Sequence, residues 1–87
     1  MITDVDIRER IKSEIAEQTE IAKETIDENT HLADLGIDSL QALQLLVMLE
    51  RTYNISIAED DLKQFRTINT IVELVNCRIA TGVAVPQ

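Results

Sequence analysis

The sequence predicts an all-α fold: a small bundle of three main helices plus one short helix, with a long loop between helices 1 and 2. Three observations carry that expectation. Apolar residues recur at helical spacing in three separate segments, each opened by a residue type that caps helices. The one β-like stretch, Ile55-Ser56-Ile57, has no partner run elsewhere, so a strand there would gain little.

Thr3 and Asp6 stand three apart, as in a capping box, ahead of Ile7, Ile11 and Ile15 at i, i+4 and i+8, which predicts a first helix over about 4–17. Residues 18–36 show no sustained period. Ile21, Ile26, Leu32 and Leu35 are the isolated apolar side chains expected to pin this loop to the core, and Gly36 closes it. Loops this long without elements of their own are more often functional than not. From Asp38 or Ser39 the chain holds only helix-compatible residues until Asn54, giving the most apolar helix. Ser56 and Glu59 form an S-x-x-E pattern that predicts a short helix over about 58–63. Thr67 then precedes Ile68, Ile71, Val72, Val75 and Ile79, one apolar face of a last helix ending near 80–82. A single domain over 1–82 with a flexible tail over 83–87 follows.

The 87 residues, 45% apolar, suffice for one modest core, and with aromatic content at 2% that core must be aliphatic. The net charge of −8 repels phosphate backbones and anionic lipid, which argues against nucleic-acid partners and favours proteins with basic patches. Eleven of the sixteen acids but four of the eight bases fall in residues 1–40, so most of the negative field comes from the first half. The longest apolar run, residues 45–49, is far too short to insert in a membrane. The single Cys77 forms no internal disulfide, so a cytoplasmic setting is the expectation.

On the second helix Ala42, Leu45, Leu46, Leu49 and Tyr53 cluster on one face and are the expected core contribution. Leu40, Leu43 and Val47 form a second stripe with Gln44 and Arg51 beside it. Such an apolar strip flanked by polar groups has the character of a partner surface, unless the loop over 18–36 folds across it. Ser39 lies at the N-cap or in the first turn, where unpaired N–H groups and the positive end of the helix dipole favour an anion. A plain helix cap explains a serine there equally well.

Several chemistries find no support. A hydrolase built on Ser39 would need an oriented base, and the only histidine, His31, lies in a polar loop; "GIDSL" lacks the second glycine of a nucleophile elbow. Asp27, Asn29, His31 and Asp38 fall loosely on calcium-loop positions, but Leu32 replaces the obligatory glycine and Asp38 the final glutamate. One Cys and one His exclude a four-ligand zinc site within the chain, and there is no intrinsic metal site to propose. Cys77 reads as an ordinary helix residue.

"LADLGIDSLQALQLLVMLERTYNISI" followed by "FRTINTIVELV" resembles the carrier-protein family, the acyl carrier proteins and their aminoacyl or peptidyl relatives. The resemblance covers nearly the whole chain. It implies a non-catalytic carrier in which Ser39 accepts 4'-phosphopantetheine from coenzyme A, through a phosphodiester made by a phosphopantetheinyl transferase. The thiol of that arm would hold acyl-type intermediates as thioesters between enzymes of a fatty-acid, polyketide or specialised pathway. By the same resemblance Asp38 would assist the transferase's magnesium, and Gly36 matches a turn glycine. Leu40 and Val47 match positions that commonly contact partners, which agrees with a contact surface of Leu40, Leu43, Gln44 and Val47. The implied partners are the transferase, an acyl- or aminoacyl-activating ligase and downstream transferases or synthases, met by a monomer.

The chain departs from the fatty-acid carriers at Gln41 and Gln44, where acids are frequent, at Arg51, which adds a positive charge, and at Ala58 in place of a frequent proline. The Ala58 departure is minor; the others favour a dedicated carrier of a specialised pathway. The competing readings are an aminoacyl, peptidyl or D-alanyl carrier, an unmodified helical protein-interaction module in which Ser39 only caps a helix, and a small hydrolase using Ser39 and His31.

Overall fold

The computed structural model describes residues 3–80. Among them the order is α1 (Asp4–Thr19), a long connection, α2 (Ser39–Tyr53), a short 3₁₀ helix (Glu59–Gln64) and α3 (Ile68–Ala80), with no strand. The expected bundle of three main helices and one short one, with its long first loop, is what forms. The expected tail over 83–87, and the domain end near 82, lie outside the described residues.

Each α-helix begins where a side chain can replace a missing backbone acceptor. The Asp6 N–H donates to Thr3 Oγ1 at 3.2 Å and the Thr3 N–H donates to Asp6 Oδ2 at 3.2 Å, so Asp serves where Glu or Gln is usual. Thr67 and Thr70 do the same for α3: the Thr70 N–H donates to Thr67 Oγ1 at 3.2 Å and the Thr67 N–H donates to Thr70 Oγ1 at 3.1 Å. α1 runs two residues past the expected 17, because Thr19 Oγ1 bonds the Ile15 carbonyl at 2.7 Å and the Glu20 N–H reaches the Ala16 carbonyl from a left-handed φ of 63°. α2 ends as expected at Asn54, whose left-handed φ of 53° is among the least costly for a non-glycine residue.

The core is aliphatic apart from Phe65. Ile7, Ile11 and Ile15 from α1, Leu45, Leu46 and Leu49 from α2, and Ile68, Ile71, Val72 and Val75 from α3 are all buried, and no polar or charged residue joins them among those described. Each such side chain contributes about 1.5–3 kcal/mol by leaving water. Ala42 and Tyr53, also expected inside, are partly buried against this cluster.

The long connection is ordered by apolar pins and backbone bonds. Ile26 and Leu32 are buried, while Ile21 and Leu35 pack partly buried on the core. The Leu32 N–H donates to the Arg66 carbonyl at 2.7 Å and the Asn69 N–H donates to the Glu28 carbonyl at 3.3 Å. Two short 3₁₀ turns, Lys23–Thr25 and Leu32–Leu35, break up what the sequence presented as one aperiodic stretch; three or four residues are too few to show a period.

The Ser56–Glu59 capping box does not form. Ile55 and Ile57 are both buried, and Ala58, the second residue after the would-be cap, is extended at φ −77° and ψ 155° where a helix started by Ser56 would need helical backbone. The short helix starts instead after Ala58, whose N–H donates to Asp61 Oδ2 at 3.0 Å, and the Ile57 N–H donates to Glu50 Oε2 at 2.9 Å. It is wound as a 3₁₀ helix over Glu59–Gln64, one residue later than expected.

Candidate functional site

Ser39 sits at the first helical position of α2 and is exposed. The cap itself is Asp38, with φ −93° and ψ −176°. Asp38 Oδ1 accepts the Gln41 N–H at 2.8 Å and Gln41 Oε1 accepts the Asp38 N–H at 3.1 Å, a complete reciprocal box. The two alternatives for the start of the helix are thereby resolved: the aspartate caps, and the serine hydroxyl is not needed to close the helix end. The glutamine at position 41 acquires a local role as well, because its amide closes the box.

The turn before the cap aims the helix start. Gly36 adopts φ 87° and its N–H reaches the Ala33 carbonyl at 3.1 Å, while the Ile37 N–H donates to the Leu32 carbonyl at 3.0 Å. Ile37 is thus turned inward and Asp38 outward. Ile37 and Ala42 flank the cap at the positions of a hydrophobic staple, and both line a hollow beside the serine.

That hollow has a volume of about 200 Å³ and is bounded by Leu32, Ala33, Ile37, Asp38, Ser39, Ala42, Leu62 and Phe65. Its walls are mostly apolar, with Asp38 and Ser39 the two polar residues of the rim. It lies where the last turn of the loop, the start of α2 and the short 3₁₀ helix meet. Of its walls the sequence singled out Leu32, Ala42, Asp38 and Ser39, each for another reason. Ile37 was missed, and the staple pattern I-D-x-x-x-A was the signal available for it. A larger open groove of about 480 Å³, lined by Asp6, Glu9, Arg10, Ser13, Thr52 and Tyr53, includes none of the candidate site residues identified from sequence; its size reflects openness, not chemistry.

The residues expected to meet partners separate by exposure. Leu40 is 63% exposed, Val47 is 38% exposed and Gln44 is exposed, whereas Leu43 is half-buried. His31 acts through its backbone: its carbonyl accepts the Asp34 N–H at 2.9 Å at the start of the Leu32–Leu35 turn. Cys77 is exposed. Among the described residues no three His, Cys, Asp or Glu side chains gather into a set able to hold a metal ion, and no helix is long and apolar enough to cross a membrane.

An exposed hydroxyl at a helix start suits attachment of an anionic group. First-turn N–H groups have no acceptor within the helix, the dipole is positive there, and the neighbouring hollow can shelter apolar atoms. A family model described as a phosphopantetheine attachment site matches residues 9–75. The chain is 34% identical over 76 residues to an acyl carrier protein of Syntrophus aciditrophicus (strain SB), an alignment covering 86% of this chain and 95% of that one. Its fold superposes on an acyl carrier protein from Thermotoga maritima with a TM-score of 0.77 at 18% identity, covering 90% of this chain and 92% of that one. It also superposes, with a TM-score of 0.72 at 28% identity, on the 3-oxo-butyl carrier of the actinorhodin polyketide synthase of Streptomyces coelicolor, covering 94% of this chain and 95% of that one.

Proposed function

The chain belongs to the acyl carrier protein family, whose members are non-catalytic carriers with a phosphopantetheine attachment site, and from that premise we propose that Ser39 is the attachment point in this chain. The observation that carries the reading is the placement of an exposed serine one residue after its helix cap, so the hydroxyl is presented on a rigid helix start and left free by Asp38. In the loading step Ser39 Oγ gives up its proton and forms a new bond to the phosphorus of coenzyme A that bears the pantetheine, while the pyrophosphate P–O bond breaks and adenosine 3',5'-bisphosphate leaves. Asp38 Oδ1 is committed to the cap, while its other oxygen is directed to no hydrogen-bond donor among the described residues and is the atom that would meet the transferase's magnesium. The arm's terminal thiol supplies a thioester linkage for the cargo.

The first turn of α2 holds the phosphodiester in a favourable field, Gly36 and the Asp38–Gln41 box fix its direction, and the hollow beside Ser39 gives the proximal arm an apolar surface to lie against. The cargo is an acyl intermediate of a specialised pathway, supported by the absence of acid at Gln41 and Gln44. The protein works as a monomeric, cytoplasmic carrier, one domain over 1–82, that meets an activating ligase and downstream transferases or synthases in turn. Brief docking of this kind is served by electrostatic steering, to which a net charge of −8 contributes.

Incubation with coenzyme A, magnesium and a broad-specificity transferase, read by intact mass, should add one phosphopantetheine to the native chain and none to Ser39→Ala. No addition, or addition that persists in the variant, overturns the assignment. The mass of the group recovered on the thiol from the native host distinguishes acyl from aminoacyl cargo.

A further inference from the structure

The exposed residues of α2 form one continuous stripe whose charge order is unusual for so acidic a chain. Leu40, Gln44, Val47 and Arg51 follow one another at i, i+4, i+7 and i+11, all exposed and all on one face. The stripe begins beside Ser39 with the exposed carboxylate of its cap Asp38, and it ends on a cation. α2 contains only two charged residues, Glu50 and Arg51. Glu50 is turned to the protein, with Oε2 accepting the Ile57 N–H at 2.9 Å, so it does not offset Arg51 on the outer face. Arg51 forms no salt bridge with a described carboxylate, in contrast to Arg8, Lys12 and Lys23.

Resting on the carrier reading above, we infer that this stripe docks an enzyme surface of defined polarity: a basic group near Ser39, an apolar recess for Leu40 and Val47, and a carboxylate facing Arg51. The charge order sets the partner's orientation. From Asp38 to Arg51 the helix rises about 20 Å, more than two Debye lengths at physiological salt, so its two ends act as separate recognition points. A partner with bases along the whole contact would meet Arg51 with like charge and be rejected, while one with an acid at that end would be held in a single direction. Apolar contact supplies adhesion in the middle, where a short strip suits a complex that must release.

The test is a charge-swap cycle on docking, measured by fluorescence anisotropy with both the unmodified and the phosphopantetheine-loaded chain. The probes are a fatty-acid ketosynthase with a basic carrier-docking patch and versions of it in which each basic residue of that patch is replaced in turn by glutamate. The native chain should bind one of the glutamate versions about tenfold more tightly than the unaltered enzyme. Arg51→Glu should reverse that order, and Arg51→Gln, which leaves the helix intact, should fall between them. The differences should shrink at high salt.

The inference is overturned if Arg51→Glu leaves both affinities unchanged, or if the native chain prefers the unaltered basic patch. It is also overturned if sedimentation shows a dimer of the native chain that Leu40→Asp abolishes, since the stripe would then face a second copy. Intact mass after transferase treatment reads the carrier assignment separately, so a chain that is modified but insensitive at position 51 refutes the docking polarity alone.

Discussion

Asp38 and Gln41 hold each other across the first turn of α2, each side chain accepting the other's backbone N–H, at 2.8 Å into Asp38 and 3.1 Å into Gln41. The pair couples the stability of the helix start to the geometry of the serine between them. Asp38→Ala should lower stability by about 1 kcal/mol in urea unfolding, while Asp38→Asn, an equally good cap, should cost far less. Transferase modification separates the two roles of the residue: if its charge serves magnesium, Asp38→Asn should slow modification despite an intact fold. Equal modification rates for the native chain and Asp38→Asn would confine Asp38 to capping.

Ser39→Ala should be thermodynamically quiet. Ser39 occupies the first helical position and Asp38 supplies the cap, so removing the hydroxyl leaves the helix end satisfied and the expected change is within about 0.5 kcal/mol. Phosphopantetheine addition should nevertheless vanish. A loss of about 1 kcal/mol or more in thermal or urea unfolding would mean that the hydroxyl takes part in capping after all.

Gly36 is constrained by its backbone angle and not by space. An added Cβ meets no heavy atom within 4 Å, yet φ is 87°, where L side chains are strained. Gly36→Ala should therefore destabilise by about 1–2 kcal/mol, with Gly36→Asn milder because asparagine tolerates left-handed backbone. Because this turn directs Ile37 inward and Asp38 outward, the alanine variant should also be modified more slowly than its stability loss alone explains.

The contrast between residues read correctly and those missed has a physical basis. The helices were legible because Ile7, Ile11 and Ile15, or Ile68, Ile71, Val72 and Val75, repeat one face over several turns. Cap patterns are shorter and compete with one another: Thr3 with Asp6 formed its box, whereas Ser56 with Glu59 did not, because Ala58, two residues past the would-be cap, stays extended where helical backbone is needed. Ser39 was found by its place at a helix start and by the family resemblance. The hollow beside it was not, since its walls come from three elements that meet only in space. The sequence presented the region between α1 and α2 as an aperiodic loop for a related reason: a polar network that closes over sixty residues leaves no local period.

That network yields the last prediction. Glu28 accepts from Arg8 at 3.0 Å and from Lys12 at 2.8 Å, Arg8 also donates to Asn69 Oδ1, and Asn69 Nδ2 donates to Asn29 Oδ1 at 2.5 Å. The loop is thereby tied to α1 and α3 at once. The hydrogen bond from Lys12 holds the Glu28 carboxyl below the usual glutamate range, with the charges of Lys12 and Arg8 acting in the same direction and partial desolvation opposing them. A carboxyl whose folded pKa is depressed adds stability that is fully present above its unfolded pKa and is lost as pH falls through the folded one. Acidification below the ordinary glutamate range should therefore loosen this clasp, and Glu28→Gln should remove part of the acid sensitivity while lowering stability near neutral pH. Hydrogen exchange at the Asn69 amide, which donates to the Glu28 carbonyl at 3.3 Å, reads the clasp directly. Its protection should fall with pH in the native chain and depend less on pH in the variant; identical profiles in the two would show that the loop is held by Ile26 and Leu32 alone.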